Sequence, residues 1–173
     1  MRIIAGTWRG RPISAPMGGT TRPTTDRVRE ALFSMLASRI GTFEGLKVVD
    51  LFAGSGALGL EALSRGAAHC TFVERDPSAV AALRMNIAKL KADADIRAQG
   101  IESFMGGPYD LAFADAPYGS GAGEKALAHV SLAPGGWAAI ETGKGETPEV
   151  PGFTTEATRA YGKARITLLR FTG

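Results

Sequence analysis

The chain has 173 residues, 45% hydrophobic and 21% charged, which suits one domain built on one substantial core and excludes a mainly disordered polypeptide. The lone cysteine, Cys70, excludes an intramolecular disulfide framework, and with only His69 and His129 beside it there is no zinc-ligand cluster, so no metal is expected. The net charge of +3 is uneven: residues 1–47 hold eight Lys/Arg against three Asp/Glu, and the other 126 hold twelve against fourteen.

In chain order, Arg2, Ile3 and Ile4, then Gly6, then Trp8-Arg9-Gly10-Arg11 predict a small β-hairpin. A Pro-, Gly- and Thr-rich stretch follows at 16–25. Val28, Leu32, Met35 and Leu36 have helical spacing, which predicts a helix over Asp26–Ile40, started by Thr24 or Thr25 and ended by Gly41. From Lys47 the pattern alternates. Strands are expected at 47–52, 69–74, 95–98, 109–115 and 137–142, with helices at 57–65, from Pro77 to about Lys91, and at 125–132. Asp76 caps the third helix with Pro77 at its first position. Two last strands, near 153–160 and 164–171, form an antiparallel hairpin at one edge. This order predicts a mainly parallel α/β sheet covered by helices on both faces. No apolar run is long enough to span a membrane and the opening residues lack a signal-peptide core, so a cytoplasmic protein without membrane contact is expected.

The strongest local signal is Asp50-Leu51-Phe52-Ala53-Gly54-Ser55-Gly56-Ala57-Leu58-Gly59, a G-x-G-x-x-G loop between strand and helix. Glycines there let the backbone turn sharply and approach a ligand, and the helix start offers free N–H groups. Glu74, about 20 residues on, ends the second strand, where a carboxylate can hold both ribose hydroxyls. Two ligands compete: a nicotinamide dinucleotide and S-adenosylmethionine. Asp50 helps to separate them, because a buried carboxylate repels a pyrophosphate and suits an amino group and a sulfonium. The candidate cofactor residues are Asp50, Phe52, Ala53, Gly54, Ser55, Gly56, Glu74 and Arg75.

A second constellation, Asp115-Ala116-Pro117-Tyr118, follows the apolar strand at 109–115. In an open α/β sheet this edge binds ligands. The Asp115 carboxylate and the Ala116 carbonyl can accept both hydrogens of an exocyclic base amine, aiming its lone pair at a methyl group. Pro117 restricts Ala116 to extended backbone, and Tyr118 can stack on the base.

Together with Thr21-Arg22-Pro23-Thr24-Thr25-Asp26-Arg27-Val28-Arg29-Glu30 and Leu60-Glu61-Ala62-Leu63-Ser64-Arg65-Gly66, these motifs resemble the ribosomal small-subunit methyltransferase D family from about residue 1 to 170. The resemblance implies a Rossmann-like class I S-adenosylmethionine-dependent methyltransferase fold. It implies guanine-N(2) methylation of 16S rRNA from S-adenosyl-L-methionine, within the small subunit or its assembly intermediate; the sequence itself leads us to expect a monomer. It divides the chain into a basic extension, 1–45, and a methyltransferase domain, 46–173. The extension would contact RNA through Arg9, Arg11, Arg22, Thr25, Arg27 and Arg29. Two departures stand out: Ala116 replaces the family's usual proline, and Gln99-Gly100-Ile101-Glu102 replaces an Asp-Ala pair near the adenine. The alternatives are an adenine or DNA amino-methyltransferase using the same site, a NAD-binding oxidoreductase, and an RNA-binding protein without activity.

Overall fold

The computed structural model describes residues 1–16 and 25–173. Helix α1 (Asp26–Ile40) begins where the Thr25 hydroxyl accepts from the Val28 N–H at 3.2 Å and ends at Gly41, whose φ of 87° suits glycine. There follow β1 (Lys47–Leu51), α2 (Ala57–Ser64), β2 (His69–Val73), α3 (Pro77–Leu90), β3 (Ala94–Arg97), a 3-10 turn (Ile101–Ser103), β4 (Tyr109–Ala114), α4 (Ala122–His129), β5 (Leu132–Gly143), β6 (Phe153–Tyr161) and β7 (Ala164–Phe171). The expected helix at 125–132 is corrected to α4. Leu132 is drawn out of it into β5, where it is buried and pairs with Tyr109 of β4, a long-range contact that overrides local helical spacing.

The sheet has seven strands in the order β3-β2-β1-β4-β5-β7-β6. The first five run parallel, and β5–β7 and β6–β7 are antiparallel, so the closing hairpin makes the expected antiparallel edge. The sheet is buried on both faces. Along β1, Val48 joins the apolar cluster formed with α1, α2 and α3, while Val49 and Leu51 join the cluster on the α4 side. The chain leaves β1 toward β2 and later returns to β1's other side as β4, which opens a crevice at the carboxyl ends of β1 and β4.

The front segment shares the first core. Ile3 and Ile13 are buried in the same cluster as Leu32, Phe33 and Leu60. Its backbone closes on itself through Ile3 N–H to Arg11 carbonyl (2.9 Å) and Ile13 N–H to Met1 carbonyl (2.8 Å), the expected hairpin reduced to one Arg2–Pro12 bridge. Among the described residues, no helix is long and apolar enough to cross a membrane.

Candidate active site

The carboxyl edge of the sheet carries an acid on or just past each of four strands: Asp50 on β1, Glu74 after β2, Asp115 after β4 and Glu141 near the end of β5. Registers of Leu51 with Val73 and with Ala114, and of Ala114 with Ile140, bring these four strand ends side by side. A cavity of about 870 Å³ opens there, lined from the β2 side by Phe52, Glu74 and Arg75 and from the β4 side by Asp115, Ala116, Pro117 and Tyr118. Gln99, Gly100, Ile101 and Glu102 complete the wall near β3, and Ser120, Lys125 and His129 the wall near α4.

The glycine loop does three different jobs. Gly54 has φ 59° and open space where a side chain would stand, so a ligand can approach its backbone. A Cβ on Gly56 would lie 2.4 Å from Leu83 Cδ1, and one on Gly59 2.4 Å from Phe72 Cε1; these two glycines let α2 pack against α3 and β2. Ala53 and Ser55 are buried, and the Ser55 carbonyl accepts from Asn86 of α3 at 2.9 Å.

Glu74 ties the two halves of this edge together. Its Oε1 accepts from the Gly54 N–H at 2.8 Å and its Oε2 from the Asp76 N–H at 2.9 Å, and each oxygen keeps capacity for another donor. Asp50 lies beneath the loop and is not part of the cavity wall. It is 1% exposed, and its Oδ2 accepts from the Gly59 N–H at 2.9 Å. Burial pushes its carboxyl well above the usual carboxylate range against the pull of that hydrogen bond, and repulsion from Asp115 and Glu74 pushes it further. A cation bound in the cavity between Glu74 and Asp115, above Asp50, would relieve that repulsion, so the residues fit a ligand carrying an ammonium or a sulfonium. Three carboxylates and no cation on the loop itself do not suit a pyrophosphate.

The loop after β4 is fastened to the end of β5. The Tyr118 hydroxyl donates to the buried Glu141 carboxylate at 2.7 Å. Glu146 accepts from the Gly119 N–H at 3.1 Å and from the Gly143 N–H at 2.5 Å. Neither Glu141 nor Glu146 stands out in the sequence by motif. The signal that finds Glu141 is positional, an acid near the end of an apolar strand, as with Asp50, Glu74 and Asp115.

The residues expected to meet RNA separate. Arg9, Arg11 and Arg27 are exposed, and Thr25 caps α1. Arg22 lies outside the described residues. Arg29 is a correction: it is fully buried, its Nη2 donates to the Arg2 carbonyl and, at 2.9 Å, to Asp26, and its Nε lies 3.5 Å from Glu61. Burying a guanidinium requires such partners, and they hold the front segment to the domain. Glu61, which is also fully buried, accepts from the N–H groups of Ile4 (2.9 Å) and Ala5 (3.1 Å) and from Arg65 Nε (2.9 Å).

The model of the family described as Conserved hypothetical protein 95 matches residues 1–170. Ribosomal RNA small subunit methyltransferase D of Escherichia coli (strain K12) is 45% identical over 145 residues, 82% of this chain and 71% of that protein. YlbH of Bacillus subtilis (strain 168) is 48% identical over 91 residues, 53% of this chain and about half, 48%, of its own length. Among solved structures, yhhF from Escherichia coli superimposes with a TM-score of 0.86 at 33% identity, over 100% of this chain and 98% of that one. An RNA methyltransferase from Salinibacter ruber, solved with S-adenosyl-L-homocysteine, shares the fold at a TM-score of 0.68 and 14% identity, over 87% and 94% of the two chains. The Rossmann-like sheet of class I methyltransferases, antiparallel edge included, is the fold of this chain.

Proposed function

The chain belongs to the Conserved hypothetical protein 95 family and, within it, to the ribosomal RNA small subunit methyltransferase D family, and from that premise we propose that it methylates the exocyclic amine of a guanine in 16S rRNA. It is a methyltransferase that acts on ribosomal RNA, and S-adenosyl-L-methionine is its methyl donor. The guanine-N(2) position and the small subunit or its assembly intermediate as substrate are our reading. So are action as a monomer in the cytoplasm and the division into an RNA-contacting front, 1–45, and a methyltransferase domain, 46–173. The observation that carries the reading is the single cavity joining Glu74 to Asp115–Tyr118 at the switch point of the sheet.

When bound, S-adenosyl-L-methionine supplies an electrophilic methyl group on sulfur. Glu74 accepts from the ribose hydroxyls while still holding the Gly54 and Asp76 amides. Phe52 and Ile101 offer apolar surface to the adenine, and Arg75 borders it, reaching toward Glu102 at 3.8 Å. Asp50, with the loop at 53–56, favours the cationic methionine end. Asp115 and the Ala116 carbonyl accept the two amine hydrogens, and Tyr118 stacks on the guanine. The amine is a weak nucleophile because its lone pair is delocalised, so orientation and charge stabilisation do the work. The donor would supply the methyl group with its C–S bond breaking as the C–N bond forms, leaving a neutral thioether. The amine nitrogen then gives up a proton, first to Asp115 and then to water.

Incubation with methyl-labelled donor and separate pools of 16S rRNA, assembled small subunits and DNA tests the substrate class. Label is expected in an RNA-containing pool, with a drop of at least about 100-fold for Asp115→Ala and unchanged binding of S-adenosylhomocysteine. Label in DNA alone would overturn the reading.

A further inference from the structure

We propose that the exposed face of α3 is a second RNA-contacting surface, continuous with the front segment and reading phosphate rather than base. The rRNA methyltransferase reading supplies the identity of the polyanion; the surface itself rests on the following observations.

Residues 1–16 and 77–91 contain Arg2, Arg9, Arg11, Arg84, Lys89 and Lys91 and not one Asp or Glu. These six cations exceed the whole chain's net charge of +3, so everything else is net acidic. The two stretches form one surface. Arg11 Nη2 donates to the Lys89 carbonyl at 3.1 Å, and Lys89 Nζ donates to the Pro12 carbonyl at 3.3 Å. Asn86 accepts from the Ser14 N–H at 2.9 Å and donates to the Ser14 carbonyl at 3.0 Å. A helix face kept in water usually mixes signs, because i,i+4 pairs of opposite charge support it. On α3 the exposed positions are Pro77, Ser78, Ala81, Arg84, Met85, Ala88 and Lys89, with Lys91 just beyond, and none is acidic. Met85 is 64% exposed in the middle of this cationic face, one of two large apolar side chains so exposed among the described residues. A face that is cationic, free of acids and carries an apolar side chain suits a nucleic-acid backbone, whose sugars sit between phosphates.

Position fixes what the surface can touch. The helix is capped by Asp76, on the rim of the cavity. At ~1.5 Å per residue, Arg84 and Lys91 stand roughly 12 and 22 Å from that rim. They cannot reach the reacting guanine; they meet the strand flanking it, and such contacts set register without reading sequence.

The test replaces Arg84, Lys89 and Lys91 together with glutamine (R84Q, K89Q and K91Q), which removes charge but keeps a donor for the Pro12 carbonyl. Binding to 16S rRNA transcribed in vitro is measured by filter retention from about 50 to 200 mM salt, without methyl donor. The triple variant is expected to lose about two units from the slope of log affinity against log salt, from ~0.7 per phosphate contact on a single strand. The control pair Arg159→Gln and Lys163→Gln, on the β6–β7 hairpin, is expected to keep the wild-type slope, and S-adenosylhomocysteine affinity is expected to be unchanged throughout. A triple-variant slope equal to wild type, or an equal loss per charge in the control pair, would overturn the surface. Methyl incorporation is read separately. A wild-type protein that binds RNA with the expected slope but transfers no methyl defeats the enzymatic reading and leaves the surface standing.

Discussion

Tyr118 owes its orientation to a residue that lies 23 positions away in sequence, Glu141, whose carboxylate receives the phenolic proton at 2.7 Å. A hydrogen bond to a charged acceptor contributes roughly 1.5–3 kcal/mol, enough to fix the ring in one place for the stacking proposed above. Tyr118→Phe is therefore expected to lower kcat/KM for RNA by about tenfold, with Glu141→Gln milder because the amide oxygen still accepts. The double variant should be no slower than Tyr118→Phe alone. Additive losses would mean that the two side chains act separately. At this scale the sequence discloses what is local. Asp115, Ala116 and Pro117 are adjacent, and Glu74 falls at a fixed distance from the glycine loop, so chemistry and spacing coincide. What it hides is partnership across the fold. Arg29 reads as one more arginine in a basic segment until Glu61 of α2 is seen beside it, and the hydrogen bond from the Gly59 amide that sets Asp50 beneath the loop is not legible in the motif.

Between elements, the decisive joint is the front segment on α2. The Thr7 N–H donates to the Ser64 carbonyl at 2.8 Å, the Ser64 hydroxyl donates to the Ala5 carbonyl at 2.6 Å, and the Trp8 N–H donates back to that hydroxyl at 3.0 Å. Gly6 makes this approach possible: it has φ 86°, and a Cβ there would sit 1.9 Å from the Ser64 carbonyl oxygen. Gly6→Ala is expected to cost about 1–3 kcal/mol in urea unfolding. It should weaken RNA binding more than S-adenosylhomocysteine binding, because the segment is displaced and the cavity is not. Equal losses of both would argue against a joint that serves RNA alone. Element boundaries were legible where a cap or breaker is local, as at Thr25, Gly41 and Asp76. They were not legible where a distant strand decides them. The helix expected through Leu132 ends at His129 because β4 recruits Leu132.

Across the whole molecule, residues 1–16 and 77–91 carry six cations and no acid, while acids stand at the carboxyl ends of β1, β2, β4 and β5. One cluster stands apart from both. His69 lies between Asp93 (2.6 Å) and Asp95 (2.8 Å) at the start of β2. Partial burial opposes its protonation, but hydrogen bonds and attraction from the two aspartates outweigh burial and raise its pKa. A raised folded-state pKa gives stabilisation that is complete below the ordinary histidine range of about 6.5 and fades as pH rises through the folded-state value. The melting-temperature difference between wild type and His69→Asn should accordingly shrink from pH 6 toward higher pH; a difference that grows over that range would contradict the ion-pair assignment. The net charge of +3 conceals this arrangement. Composition located the basic first 47 residues, but only the packing of residues 11–14 against α3 reveals that the cationic surface runs on along that helix.

The central claim is methyl transfer to a guanine amine of 16S rRNA. The most direct measurement is mass spectrometry of nucleosides digested from unmodified small subunits after reaction with this protein and isotopically labelled S-adenosyl-L-methionine. The account predicts labelled N(2)-methylguanosine, absent when Asp115→Ala replaces the wild-type protein. Label in methyladenosine, or none in any nucleoside, would contradict it.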